Sequence, residues 1–161
     1  MQNKERVVVD AYIIKGALGS NHHCYEKVLN EKYRRYNEVF LTLQKRNHLL
    51  IISTELVKKY SKAIRRNDYA PRSIIILKLN ELYVSDKVVF VDKEIENMEE
   101  SSIKIKIEDE DDIPFVKAAI AARAKYFITE DKKHLLSKKE EFKREYQIEV
   151  LTPEEYIREQ A

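Results

Sequence analysis

The chain has 161 residues, of which 43% are hydrophobic, so it is long enough to bury one core and too short for two ordinary domains. Its 30 Lys and Arg nearly balance 28 Asp and Glu, and a net charge of +2 excludes a broadly basic coat for nucleic acid. The single Cys24 excludes an internal disulfide, and no apolar run approaches the roughly 20 residues of a membrane span. We therefore expect a single domain over residues 1–161 in the cytoplasm, with no membrane partner.

Short apolar runs alternate with longer amphipathic stretches along the chain. The runs predict buried strands at Arg6–Asp10, Leu49–Ile52, Tyr126–Thr129 and Ile148–Leu151. Helices are predicted at Tyr25 to about Lys45, Thr54 to Arg66, Ser73 to Leu82, Ile113 to Ala124 and from Thr152 onward. The run Val88–Val91 fits either a further strand or the edge of a less regular insertion. This alternation predicts an α/β fold with a central parallel sheet of about four to five strands and helices on both faces.

Five acidic residues, Glu108–Asp112, stand directly before the predicted helix at Ile113. Such a run is most often a solvated loop. Pro114 suits a first helical turn, and an Asp just before it is expected to cap the free backbone N–H groups. Capping accounts for one of the five carboxylates and leaves four to explain.

Three aspartates are predicted to lie at one edge of the sheet. Asp10 ends the first strand, Asp131 follows the strand at Tyr126–Thr129, and Asp112 opens the helix that leads into that strand. Ligands of parallel sheets bind beyond the carboxyl ends of the strands. A lone Asp after a strand is usually a cap or turn residue, but three at equivalent places predict a shared site. Their mutual repulsion favours a bound cation, and hard oxygen ligands suit Mg²⁺ or Mn²⁺.

Three stretches of the chain follow a recognisable pattern: VVVDAYIIKGAL, EDEDDIPFVKAAIAARAKYFITEDKKHL and IEVLTPEEYI. They resemble the PIN-domain ribonucleases, which include the VapC-like toxins of toxin–antitoxin pairs, and the resemblance spans nearly the whole length. It implies a PIN-like fold, an RNA substrate and a Mg²⁺ or Mn²⁺ cofactor. It also implies an antitoxin protein as a partner and, since VapC-like relatives often dimerise, a homodimer.

The resemblance also assigns roles to individual residues. Asp10, Asp112 and Asp131 match the metal-binding acids, and Thr129 matches a supporting polar contact. Asp109 is expected to add to the local negative field, whereas Glu110 and Asp111 are expected to be solvated.

The chain departs from the family pattern at two places. Ala11-Tyr12 stands where the family commonly has Thr-Asn, so a hydrogen bond to the first carboxylate is expected to be missing. Lys59 stands where the family has its remaining acid. Glu55 lies one helical turn earlier on the same face and could supply that carboxylate from a displaced position, although a first-turn acid is equally well explained by the helix dipole.

Two hypotheses of function follow, and Lys59 separates them. In the first, the chain is a metal-dependent endoribonuclease in which Lys59 points away from the ion. In the second, Lys59 weakens the site or takes the place of the ion, and the chain is a catalytically degenerate PIN-like module for RNA binding or protein assembly. A different metal-dependent phosphatase or nuclease class is a third alternative.

His22-His23-Cys24 has zinc-ligand residue types but no second ligand pair at a suitable spacing.

Overall fold

The computed structural model describes residues 3–14, 31–65 and 79–161. Five strands in these ranges form one parallel sheet, in the order β3-β2-β1-β4-β5. They are β1 (Arg6–Val9), β2 (Leu49–Ile52), β3 (Val88–Phe90), β4 (Tyr126–Ile128) and β5 (Glu149–Leu151). The predicted α/β class and its parallel sheet are confirmed, and Val88–Val91 contributes a strand.

Helices surround the sheet. They are α1 (Glu31–Lys45), α2 (Thr54–Arg65), α3 (Asp92–Glu96), α4 (Ile113–Ala121), α5 (Lys139–Tyr146) and α6 (Pro153–Glu159). Residues 11–14 and 79–84 are also helical, and short 3₁₀ turns occupy Glu100–Ser102 and Leu136–Lys138. The predicted helical segments at residues 25–30, 66 and 73–78 lie outside the described residues. No helix of the described ranges is long and apolar enough to cross a membrane.

The core forms where the central strands meet the helices. Val7, Val8 and Val9 of β1 are fully buried, as expected for a central strand covered on both faces. Val9 pairs with Ile128 at the carboxyl end of β4, and the Asp10 N–H donates to the Ile128 carbonyl at 3.0 Å. The two central strands therefore end together, which puts the residues that follow them at the same edge of the sheet.

The predicted apolar stripe is present, since Phe115, Ala118 and Ala119 of α4 are buried, as is Ala122 directly after the helix. The predicted cap at its start is wrong. Asp112 is the residue before the helix, but its backbone is already helical (φ −84°, ψ −21°) and its side chain makes no capping hydrogen bond. A side-chain cap requires a residue with an extended backbone, whereas Asp112 continues a turn in which its N–H donates to the Asp109 carbonyl at 3.0 Å.

Candidate active site

Asp10 is held at the end of β1 by hydrogen bonds to both carboxylate oxygens. The Thr129 hydroxyl donates to Asp10 Oδ2 at 2.8 Å, and the Tyr12 backbone N–H donates to Asp10 Oδ1 at 3.2 Å. Thr129 is itself fully buried at the end of β4. The orienting bond expected to be missing with Ala11-Tyr12 is therefore supplied by a backbone amide and by Thr129.

Asp131 is fixed by the same threonine. Its N–H donates to Thr129 Oγ1 at 3.1 Å, and its carboxylate Oδ1 accepts from the His134 N–H at 2.9 Å. The Asp131 carbonyl accepts from Leu136 N–H at 2.9 Å, which closes the turn after β4. Thr129 therefore links Asp10 and Asp131 through one hydroxyl group.

Asp112 completes the group from the start of α4. Only 9% of the residue is exposed, and its Oδ2 is buried with no hydrogen-bond partner in the part of the chain that the structure describes. Burial, followed by the charges of Asp10, Asp109 and Asp131, raises the pKa of Asp112 to about 7. The pKa of Asp10 is also raised, by burial and by Asp131, against the lowering effect of the Thr129 hydrogen bond. The three aspartates therefore form one electrostatically coupled cluster.

The donor set of this cluster fits a hard divalent cation. Carboxylate oxygens are the ligands that Mg²⁺ and Mn²⁺ prefer, and the buried Asp112 Oδ2 has a lone pair available for one. As the side chains lie, no three His, Cys, Asp or Glu residues of the described ranges are already grouped closely enough to hold a metal ion. Binding would require the carboxylates to converge further.

The acidic loop before α4 is partly ordered by its own side chains. Asp109 Oδ1 accepts from the Asp111 N–H at 2.9 Å, so Asp109 stabilises the turn as well as adding negative charge. The Asp111 side chain is 74% exposed, in line with the expected solvation, and its Oδ1 also lies 2.5 Å from Lys59 Nζ. The Lys59 side chain is only 25% exposed, so α2 presents this ammonium group to the loop rather than to bulk solvent.

The structure does not bring Glu55 into the cluster. Its carboxylate lies 3.0 Å from Lys58 Nζ, and 61% of the Glu55 side chain is exposed. The charges that raise the pKa of Asp10 and Asp112 come from other aspartates. Glu55 therefore behaves in this structure as the first-turn acid that the helix dipole favours.

Two tyrosines near the cluster were not identified from the sequence. The buried Tyr60 of α2 donates its hydroxyl to the Val9 carbonyl at 2.7 Å, directly before Asp10, and burial raises its pKa well above the usual value. The buried Tyr36 of α1 donates to the carboxylate of Glu130, next to Asp131. Neither role could be predicted, because a tyrosine at an apolar position of a helix has the pattern of an ordinary core residue. The His22-His23-Cys24 motif lies outside the described residues.

The chain belongs to the PIN-domain family. A PIN domain family model matches residues 6–133, which is more than half of the sequence. A search among curated proteins gives no match. PIN domains are in general nucleases that act on RNA and typically use divalent metal ions. The match therefore supports a nuclease-type function in general.

The raised pKa of Asp112 predicts a pH-dependent loss of stability in the metal-free protein. Unfolded Asp ionises near pH 3.8, but the folded group ionises only near pH 7. Stability should therefore fall as pH rises between these values and stay low above pH 7. Each pKa unit corresponds to about 1.4 kcal/mol, so Asp112→Asn should raise the melting temperature in EDTA at pH 8 by about 5 °C or more.

The same substitution should have little effect near pH 4, where the carboxyl is protonated in both states. Glu110→Gln is the matched control, because Glu110 belongs to the same acidic run but is exposed. An increase in melting temperature in Asp112→Asn that is equal at pH 4 and pH 8 would contradict the charge explanation. A similar increase in Glu110→Gln would contradict it as well.

Proposed function

We propose that the chain is a PIN-type endoribonuclease that hydrolyses RNA phosphodiester bonds with Mg²⁺ or Mn²⁺. In this proposal residues 1–161 act as one domain, and Asp10, Asp112 and Asp131 hold the ion. The observation that carries it is the buried Oδ2 of Asp112, which has no hydrogen-bond partner among the described residues and lies in the field of the other two aspartates. A divalent ion would satisfy that oxygen and offset the repulsion.

A bound ion would supply Lewis acidity and lower the pKa of a coordinated water. The residues of the chain contribute orientation. The Thr129 hydroxyl donates to the Asp10 carboxylate and accepts from the Asp131 backbone N–H, so it ties that carboxylate to the main chain at Asp131. The exposed Lys132 and Lys133 directly follow Asp131 and are suited to binding the phosphates of the RNA strand.

The proposal extends to a role as the toxin of a toxin–antitoxin pair, located in the cytoplasm. Its support is the resemblance of the sequence to VapC-like proteins, and it adds an antitoxin protein and a second copy of the chain as partners. A small neighbouring gene whose product relieves growth arrest caused by this chain would be the supporting observation. Harmless expression of an active nuclease would argue for a different biological role.

A catalytically degenerate module is the second candidate, and Lys59 is the observation that favours it. Its ammonium group is paired with Asp111, one residue from the buried Asp112. Such a cation could stabilise the acidic loop without any metal. The module would then serve RNA binding or protein assembly, and the parent protein would be inactive.

The first test is whether the three aspartates share one ion. Calorimetric titration of the parent with Mn²⁺ should show binding, and Asp10→Asn and Asp131→Asn should each weaken it by on the order of tenfold or more. Losses of this size follow even the removal of an outer partner of a metal ligand. Glu110→Gln should bind Mn²⁺ like the parent. Undiminished binding in either Asp variant would mean that these residues do not form a shared site.

The second test distinguishes the enzyme from the degenerate module by substituting Glu55 and Lys59 of α2. In the proposed enzyme, Glu55→Ala should leave Mn²⁺-dependent cleavage of single-stranded RNA within about twofold of the parent, because Glu55 is paired with Lys58 outside the cluster. Lys59→Ala should retain cleavage and bind Mn²⁺ more tightly, because it removes a nearby cation. A large loss in Glu55→Ala would restore Glu55 as the displaced fourth carboxylate.

The degenerate module makes the opposite prediction in the same series. The parent should then be inactive, and Lys59→Glu should create or strengthen metal binding by replacing a cation with an oxygen ligand. Each reaction is repeated with EDTA and with Asp10→Asn. Cleavage that survives both would come from a contaminant or from another chemistry, and the PIN-type mechanism would have to be abandoned.

A further inference from the structure

Tyr12 is an exposed aromatic residue at the rim of the aspartate cluster. It lies two residues after Asp10, and 53% of it is accessible to solvent. Its backbone N–H donates to the Asp10 carboxylate at 3.2 Å. The next two residues, Ile13 and Ile14, are fully buried, and their N–H groups bond to the Asp10 carbonyl at 3.1 and 3.3 Å. The main chain under Tyr12 is therefore fixed relative to the site.

The ring of Tyr12 also contacts a second aromatic ring. It packs edge to face against Tyr36, with the ring centroids 6.4 Å apart and the planes at 81°. Tyr36 is buried, and its hydroxyl donates to Glu130, the residue before Asp131. The aromatic pair thus spans from the end of β1 to the end of β4. An exposed ring on a main chain that is fixed next to Asp10 is a suitable surface for a planar ligand.

We propose that Tyr12 is a substrate-binding residue whose ring stacks on a nucleobase of single-stranded RNA beside the bond that is cleaved. The inference rests on the ribonuclease function proposed above and defines how that site takes its substrate. Aromatic side chains bind single strands by stacking, because every base has a π-face, whereas bases in a duplex are already stacked on each other. Lys132 and Lys133, exposed after Asp131, hold the flanking phosphates.

The first experiment measures kcat and KM for Mn²⁺-dependent cleavage of a short single-stranded RNA. Tyr12→Ala should raise KM by about tenfold, the loss expected for one stacked base. Tyr12→Phe should restore the parent value, since it keeps the ring. The Mn²⁺ affinity of Tyr12→Ala should match the parent, because alanine retains the N–H that binds Asp10.

Tyr83 provides a matched control. It is 56% exposed and packs edge to face on Phe90, with the centroids 5.9 Å apart, but it lies beside β3 at the edge of the sheet. Tyr83→Ala should leave KM unchanged. Equal losses in Tyr12→Ala and Tyr83→Ala would mean that removal of any surface aromatic weakens binding, and the stacking inference would fail.

The second experiment removes the base instead of the ring. A series of RNA substrates carries a single abasic nucleotide at each position in turn. With the parent, one position next to the cleaved bond should raise KM about tenfold, and with Tyr12→Ala the same position should have no further effect. A purely structural role for Tyr12 would leave the two losses additive and would overturn the inference.

The two levels of the proposal fail in different ways. A parent that cleaves RNA in an Asp10-dependent manner, together with a Tyr12→Ala variant of unchanged KM, would refute the stacking role alone. A parent that shows no Asp10-dependent cleavage would refute the nuclease function and the stacking role with it.

Discussion

The burial of Asp112 beside two other aspartates is the constraint on which the site depends. Moving a carboxylate out of water is unfavourable unless it is paired, and here the nearest charges have the same sign. The pKa shift to about 7 corresponds to several kcal/mol against the ionised form, a large part of the 5–15 kcal/mol by which domains of this kind are typically stable. A chain shaped for stability alone would replace this residue by an apolar one. The divalent ion proposed above would offset this cost.

The hydrogen bonds around Asp10 show how the fold keeps such a cluster ordered. Thr129 donates to Asp10 and accepts from the Asp131 N–H, so one buried hydroxyl sets the relation between two strands. The second donor to Asp10 is a backbone amide, which no substitution at Tyr12 except proline removes. Orientation of the Asp10 carboxylate therefore does not depend on the Tyr12 side chain.

Features that depend on a local sequence pattern could be predicted. Contacts between residues far apart in the chain could not. Asp10, Asp112 and Asp131 could be found because strand ends and helix starts are visible as breaks in a hydrophobic pattern. The contacts of Tyr60 with Val9 and of Tyr36 with Glu130 join residues 51 and 94 positions apart, and no local pattern signals them. Helix α5 was missed because KEEFKREY buries only Phe142, too little for a recognisable stripe.

The Lys59–Asp111 pair explains why a cation at this place need not abolish a metal site. An isolated ammonium close to a divalent ion is repelled by several kcal/mol at an effective dielectric of about 20. Paired with Asp111 at 2.5 Å, the two charges form a dipole, whose field falls off faster with distance than that of a single charge. The Lys59 side chain is mostly buried whereas 74% of the Asp111 side chain is exposed, so the pair presents its carboxylate to solvent. Under the enzyme function proposed above, a Lys59 paired with Asp111 therefore need not exclude the ion from the aspartate cluster.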